Sequence, residues 1–362
     1  MNKNRLLGLI LTFVCLSLPG HANNYRDIYF DCCPDEEIEC HDDHGFMFGL
    51  ELLFWNVCQS DLDYAIDDTE EPYLAGPGKI HFMDYDWTTG IRVYGGYQAG
   101  CMGWDGRFVY TYYDNKADGD SVATLENQKL SATLLNPGTP GIENGYECAR
   151  AKNDLTYWVL DLQVGRSFCC LTNTLKIRPF AALRFLRLDQ DIHARYENVL
   201  NPASIPKAVT SENYTRDQVF YRSEYRGVGL NLGMEFDHHI CKNWGVYGIC
   251  SGSIVTGDAN TKYFQEDITK LADIDPFIDV LVDLKDEQCL NIPGCQIGGG
   301  VYWECCLNRC AYLILKCGYE YNGWWHTPQV RRFVDTEKGI SNCSANGSIG
   351  LEGFTLRSDI YF

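Results

Sequence analysis

Apolar and polar residues alternate with a period of two along much of this chain. In the last stretch, Gly350 to Phe362, one face carries Phe354, Leu356, Ile360 and Phe362, with Ser358 as its weak position. The opposite face carries Gly353, Thr355, Arg357 and Asp359. That period belongs to an extended strand with one apolar and one polar side. Phe46, Phe48, Leu50, Leu52 and Phe54 repeat it against Met47, Gly49, Glu51, Leu53 and Trp55. So do 86–98, 104–113, 158–165, 175–185 and 228–236, and more weakly 244–256, 296–306 and 309–321. The count is about ten strands.

The connections sort by length. Short ones lie near 99–103, 166–173, 238–243 and 307–308, and long ones near 59–83, 114–153, 190–218, 258–294 and 323–346. They take turns along the chain. Short periplasmic turns, long extracellular loops, an even strand number and a terminal aromatic are the features of a transmembrane barrel, with lipid outside and polar side chains or water inside. The fold class is therefore all-β: a transmembrane antiparallel up-and-down β-barrel of about ten strands over 45–362. Phe362 is its expected barrel-assembly terminus, and the outer-membrane lipid and the barrel-assembly machinery are its expected partners. One segment admits a second reading. Asp275-Pro276 followed by Phe277 to Lys285 reads as a short helix with Asp275 as N-cap, or as a further strand that raises the count to twelve.

The amino terminus supplies an address. Lys3 and Arg5 precede an apolar run, Leu6 to Leu18, and Pro19-Gly20-His21-Ala22 resembles a cleavage site. Residues 1–22 read as a secretory signal peptide and 23–44 as a periplasmic cysteine-rich segment. The expected location is the bacterial outer membrane. No later stretch approaches the ~20 apolar residues of a membrane helix, which leaves a closed barrel as the way to satisfy every backbone group in lipid. The formal charge of −19 argues against nucleic acid as a partner.

The chain has 18 cysteines, and all but Cys15 lie beyond the leader. An oxidising compartment permits disulfides, and an odd number leaves one without an intramolecular partner. Cys32, Cys33, Cys40, Cys101, Cys169, Cys170, Cys241, Cys305, Cys306 and Cys310 gather on the predicted periplasmic rim. There they are candidates for a disulfide mesh that joins barrels to one another or to other cysteine-rich envelope proteins. Internal stapling of the turns is the plainer reading.

Enzymatic and metal chemistry have little support. Asp61, Asp63, Asp84 and Asp86 have only His81 near them, and Ser251-Gly252-Ser253 lacks a His-based motif, so no catalytic residue is assigned. Cys40-His41-Asp42-Asp43-His44 has no second half to complete a zinc site, and His238-His239 reads as a turn pair. No metal or cofactor is expected. Strand parity makes Asp86, Arg92, Arg107, Lys176, Arg178, Arg184, Glu235 and Glu320 candidate pore-lining residues. They would either tune a pore or fill a narrow barrel with ion pairs. About eight strands give an interior that side chains fill, and 16–18 give an open channel; ten lies nearer the filled end.

Several stretches resemble the Legionella-type major outer membrane proteins, a pore-forming group also found in environmental relatives of Chlamydia. They are Gly45 to Trp55, Asp84 to Val93, Trp104 to Tyr113, Leu160-Asp161-Leu162 with Gly165-Arg166, Arg178-Pro179-Phe180 and Gly350 to Gly353. The resemblance implies a porin-like role, passive diffusion of small solutes through a charged lumen, with abundance in the envelope. The cysteine wealth departs from the Legionella members and is similar to the disulfide-linked envelopes of Chlamydia-type bacteria. The alternative is a non-conducting structural or adhesive barrel whose long loops meet a host surface.

Overall fold

Ten long strands run antiparallel, each beside the next, and close into a ring. They are β1 Gly45–Gln59, β2 Thr88–Ala99, β3 Trp104–Val122, β4 Cys148–Arg166, β5 Leu175–Val199, β6 Tyr214–Cys241, β7 Trp244–Lys270, β8 Phe277–Asn308, β9 Ala311–Thr327 and β10 Gly347–Tyr361. The ring closes where β1 pairs with β10, from Met47 opposite Tyr361 to Gln59 opposite Ile349. The computed structural model describes residues 45–68, 78–99, 103–123, 129–169, 174–199, 214–241, 243–270, 275–308, 311–333, 341–342 and 347–362. All fall in one unit, Ile38–Phe362. Residues 1–22, the expected leader, and 23–44 lie outside the described residues.

Two expectations are corrected. Phe277 to Lys285 forms neither a helix nor an extra hairpin; it opens β8, and Thr269 of β7 pairs with Phe277. Ile278, Val280, Val282 and Leu284 alternate with Asp279, Asp283 and Lys285, and β-branched residues in that alternation favour a strand over a helix. The long connections 190–218 and 258–294 are also largely strand. β5 to β8 run for 25, 28, 27 and 32 residues, far more than the ~9–11 that cross a bilayer.

The excess length builds a second storey on the same wall. In the lower storey, apolar side chains point outward. Phe46, Phe48, Leu50, Leu52 and Phe54 of β1 are about half exposed, as are Leu230 and Leu232 of β6. Nine residues from Phe46 to Phe54 match the span of a tilted membrane strand. Aromatics rim this band. At its outer edge Trp87 stacks on Phe54 at 5.3 Å, and Tyr319 meets Phe354 edge-on at 5.3 Å. At the inner edge Phe46 packs against Tyr97 at 5.0 Å.

Above the band the faces exchange. Leu53, Trp55, Tyr113, Tyr196, Tyr225, Val255, Ile292 and Leu351 point inward and are fully buried, while charged residues point outward. A three-stranded sheet caps this core: Asp63–Asp68 lies between Ile80–Phe82 and Lys129–Ala132. Wall tyrosines hold the cap. Tyr196 Oη donates to the Tyr64 carbonyl at 2.7 Å and Tyr263 Oη to the Leu134 carbonyl at 2.8 Å. Arg332, beyond β9, donates to the Thr133 carbonyl at 2.7 Å and pairs with Asp63 at 2.8 Å.

Candidate functional site

The lumen of the lower storey is the candidate site. Strand parity turns every second residue of the lipid-crossing segments into it, and many of those residues are charged or polar. Arg92 of β2 donates to Glu51 of β1 at 3.0 Å and to both carboxylate oxygens of Glu320 of β9 at 2.8 Å. Its Nε donates to Thr111 at 2.9 Å, and its guanidinium lies 5.4 Å from the Trp55 ring. Gln296 and Asn322 also donate to Glu320, at 3.0 and 2.6 Å.

Two further clusters lie in the same layer. Arg178 of β5 holds Asp105 of β3 with two hydrogen bonds, one of 2.7 Å from Nε. It also pairs with Glu235 of β6 at 3.3 Å, and Arg107 reaches the same Glu235 at 3.1 Å. Arg184 grips Asp161 in bidentate fashion at 2.7 and 2.6 Å and donates to Ser253 at 3.2 Å. Fork-to-carboxylate geometry of this kind fixes both partners. Lys316 pairs with Asp237 at 3.0 Å, and Arg357 with Asp359 at 2.7 Å while lying over the Tyr94 ring.

Of the eight candidate pore-lining residues, Arg92, Arg107, Lys176, Arg178, Arg184, Glu235 and Glu320 face this interior. Asp86 does not. It is exposed just before β2, and its backbone carbonyl accepts from Asn115 Nδ2 at 2.7 Å. The alternation used to place it stops at Thr88; Trp87 turns outward onto Phe54 and Phe354. Lys316, Asp237 and Arg357 belong to the layer and were missing from that set. Asp237 follows Glu235 by two, so parity alone could have found it. Lys316 sits in a strand whose alternation is weak.

The space left is small. A cavity of about 90 Å³, lined among others by Arg107, Lys176, Arg178, Glu235 and Lys316, remains in the charged layer, room for a handful of waters. Above it the apolar core crosses the barrel. Among the described residues no cluster of three His, Cys, Asp or Glu side chains is arranged to hold a metal ion.

The rim cysteines are partly visible. Cys241 ends β6, Cys305 and Cys306 lie in the last four residues of β8, and Cys169 lies in a short strand beside the start of β5. Cys32, Cys33, Cys40, Cys101, Cys170 and Cys310 lie outside the described residues. Cys241 and Cys305 are free thiols, as are Cys250 and Cys317, which project from the lipid-facing wall.

In the outer storey the electrostatics differ. Tyr146 of the cap donates to Asp217 of β6 at 2.7 Å. Burial, with Asp267 directly opposite, pushes the Asp217 carboxyl up to about 7 against the Tyr146 hydrogen bond.

A family model described as the Legionella pneumophila major outer membrane protein precursor matches residues 39–361. Among solved structures, the outer membrane protease OmpT of Escherichia coli is 8% identical with a TM-score of 0.40, over 90% of this chain and 99% of that one. The toluene transporter TodX of Pseudomonas putida is 7% identical with a TM-score of 0.27, over 88% and 89%. A Pseudomonas aeruginosa FadL homologue is 6% identical with a TM-score of 0.24, over 89% and 90%. Similarity this low bears on neither activity nor solute. No curated protein matches the chain.

Proposed function

Because the chain belongs to the Legionella pneumophila major outer membrane protein family and is an outer-membrane β-barrel, we propose that it serves the envelope as a sealed structural barrel that displays its hairpins on the cell surface. One observation carries this reading: the apolar core of Trp55, Tyr113, Tyr157, Tyr225 and Trp324, each buried to within 3%, lies across the path a solute would take. Residues 1–22 are its export leader, and the displayed hairpins are where a host surface would be met.

Single-channel recording tests the seal. The refolded wild-type barrel in a planar bilayer is expected to stay silent with and without reductant. A Trp55→Ala/Tyr113→Ala variant is expected to show steps. Discrete, reproducible steps from the wild type would replace this reading with the second one.

That second reading is porin-like diffusion of small solutes through the charged lumen. The ion-paired layer and its cavity of about 90 Å³ favour it, since a polar interior is what a channel would present. Passage would require the core above to part. Steps that open only under reductant would tie the opening to disulfides.

Disulfide reinforcement of the periplasmic rim belongs to the same proposal. Cys241, Cys305 and Cys306 lie at or near strand ends on one rim, in reach of neighbouring copies or other cysteine-rich envelope proteins. On a non-reducing gel of freshly lysed, alkylated cells the protein is expected to run as cross-linked species that collapse on reduction. A monomer in both lanes would remove reinforcement from the proposal.

A further inference from the structure

Outside the membrane the wall's charges follow two rules. On β3 and β4 they match across the strands. Lys116 faces Asp154, Asp118 faces Lys152 and Asp120 faces Arg150, with contacts of 3.3, 3.7 and 3.2 Å. On β6, β7 and β8 Arg226 faces Asp258 in the same matched way, but one row sets like beside like. Arg222 faces Lys262, and Lys262 faces Lys285. Residues directly opposite in an antiparallel pair have Cβ atoms about 5 Å apart, and like charges there are destabilising.

All three cations point out of the barrel, because the flanking Tyr221, Ser223 and Tyr263 point in and are buried. Arg222 has Asp191 of β5 at 2.6 Å. Lys262 lies over the Phe264 ring at 5.6 Å, and neither it nor Lys285 has a carboxylate within salt-bridge distance among the described residues. The nearest acids have other partners or stand apart. Glu224 pairs with Arg226 at 3.3 Å, Asp286 turns inward to Arg331 at 2.9 Å, and Asp283 and Glu287 lie two residues to either side of Lys285 along β8. An open groove of about 510 Å³ follows the row, with Glu224, Asp286 and Glu287 at its margins. Lys262 and Lys285 therefore stand as a like-charged pair without a salt-bridge partner among the described residues, and a multiply charged anion from outside would relieve it.

Height selects the anion. The outward apolar run of β6 ends at Val228. Arg226 and its opposite neighbour Arg187 of β5, which also pairs with Asp189 at 2.6 Å, stand two residues beyond that edge, roughly 5 Å above it, where the first phosphates of any lipid lie. Arg222 stands six residues beyond, about 20 Å along the strand and about 15 Å along the normal at a tilt near 40°. The polar layer of a phospholipid is thinner than that, roughly 5–8 Å. We infer that this face binds the phosphorylated saccharide of the outer leaflet's glycolipid, through Arg226 and Arg187 near the membrane and through Arg222, Lys262 and Lys285 above. The inference does not depend on whether the lumen conducts.

The test titrates the refolded full-length mature barrel in detergent with four probes: lipopolysaccharide, the same material chemically dephosphorylated, phosphatidylglycerol and inorganic phosphate. Lys262→Gln/Lys285→Gln alters the proposed face, and Lys116→Gln/Lys152→Gln alters the matched one. Lipopolysaccharide is expected to bind wild type and the matched-face variant alike, with Kd at least tenfold weaker for Lys262→Gln/Lys285→Gln. Dephosphorylation is expected to produce a similar loss on the wild type, a comparison that needs no variant. Equal binding by both variants and wild type, or equal weakening of both variants, would overturn the assignment. So would undiminished binding of the dephosphorylated material, or binding of phosphatidylglycerol or inorganic phosphate as tightly as lipopolysaccharide. Heat-modifiable gel migration verifies that each variant is folded.

Discussion

Strand β5 passes through both storeys and changes its solvent midway. Below, Ala181, Leu183 and Phe185 face lipid while Arg178 and Arg184 face the lumen. Above, Leu186, Leu188, Ile192, Ala194 and Tyr196 face inward while Arg187, Asp189, Asp191 and Arg195 face water. The backbone parity never changes; the side-chain chemistry shifts by one residue at Phe185-Leu186. The same shift occurs on β4 around Val159-Leu160, below which Asp161 and Gln163 line the lumen. In lipid the outside must be apolar, so the polar residues go inside and must satisfy each other. In water the outside is free to be charged, and the hydrophobic effect fills the inside. One closed wall therefore carries an ion-paired interior under an ordinary β-protein core.

The two interiors fail differently when broken, and the largest difference is expected at Arg92. Buried ion pairs add little stability over an apolar replacement, but removing one partner strands the other charge. Arg92→Met leaves Glu51 and Glu320 buried without their cation, and should cost about 3–5 kcal/mol. Exchanging Arg184 and Asp161 together for Met and Leu should be close to neutral. Urea unfolding in lipid vesicles, read by heat-modifiable migration, measures both. A loss below ~1 kcal/mol for Arg92→Met would mean that water, rather than arginine, neutralises this layer.

The two exteriors separate next. Leu232 is 62% exposed near the middle of the lipid-facing band, and Leu232→Arg there should cost about 2–4 kcal/mol. Asp283 points outward on β8 in the upper storey and is exposed; Asp283→Arg should change stability by no more than ~0.5 kcal/mol. Equal penalties at both positions would move the membrane boundary.

Much of the lower storey was legible in the chain. Runs such as Phe46 to Phe54 hold a single phase across the bilayer, so all ten strands and the sense of their connections could be read directly. The upper storey was not, and the reason is local. At Phe185-Leu186 and Val159-Leu160 two adjacent apolar residues break the alternation, which reads as a strand end when it marks a change of solvent. Beyond the break, outward residues such as Arg187, Asp189 and Asp191 look like a solvated loop. The cap was hidden for a different reason. Tyr64, Leu130 and Tyr146 are brought together from separate connections by long-range pairing, and no local period records that. In the lumen, parity located the arginines but not their partners, because partners come from other strands. Asp86 went astray where parity was extended past the first paired residue of β2.

The last expected effect concerns pH, and it belongs to the upper storey. Asp217 is buried; Tyr146 donates to its Oδ2 at 2.7 Å, and Oδ1 has no hydrogen-bond partner among the described residues. Asp267 stands opposite it on β7 and Asp279 opposite that on β8. Burial first, and then the neighbouring acid, raise both Asp217 and Asp267 above the usual carboxylate range, Asp217 to about 7. A carboxyl whose folded-state pKa is raised favours folding when protonated. Its contribution is complete below about pH 4, the unfolded value, and is lost as pH rises through 7. The cap should therefore be held more tightly at pH 5 than at pH 8, by about 1–2 kcal/mol once relaxation around the buried acid is allowed for. Hydrogen exchange over 129–147 reads this directly, with the lower storey's protection as the internal control. Asp217→Asn should flatten the profile and protect the cap at pH 8. A wild-type profile already flat from pH 5 to 8 would mean that Asp217 is hydrated, and that the upper interior is wetter than its tyrosines imply.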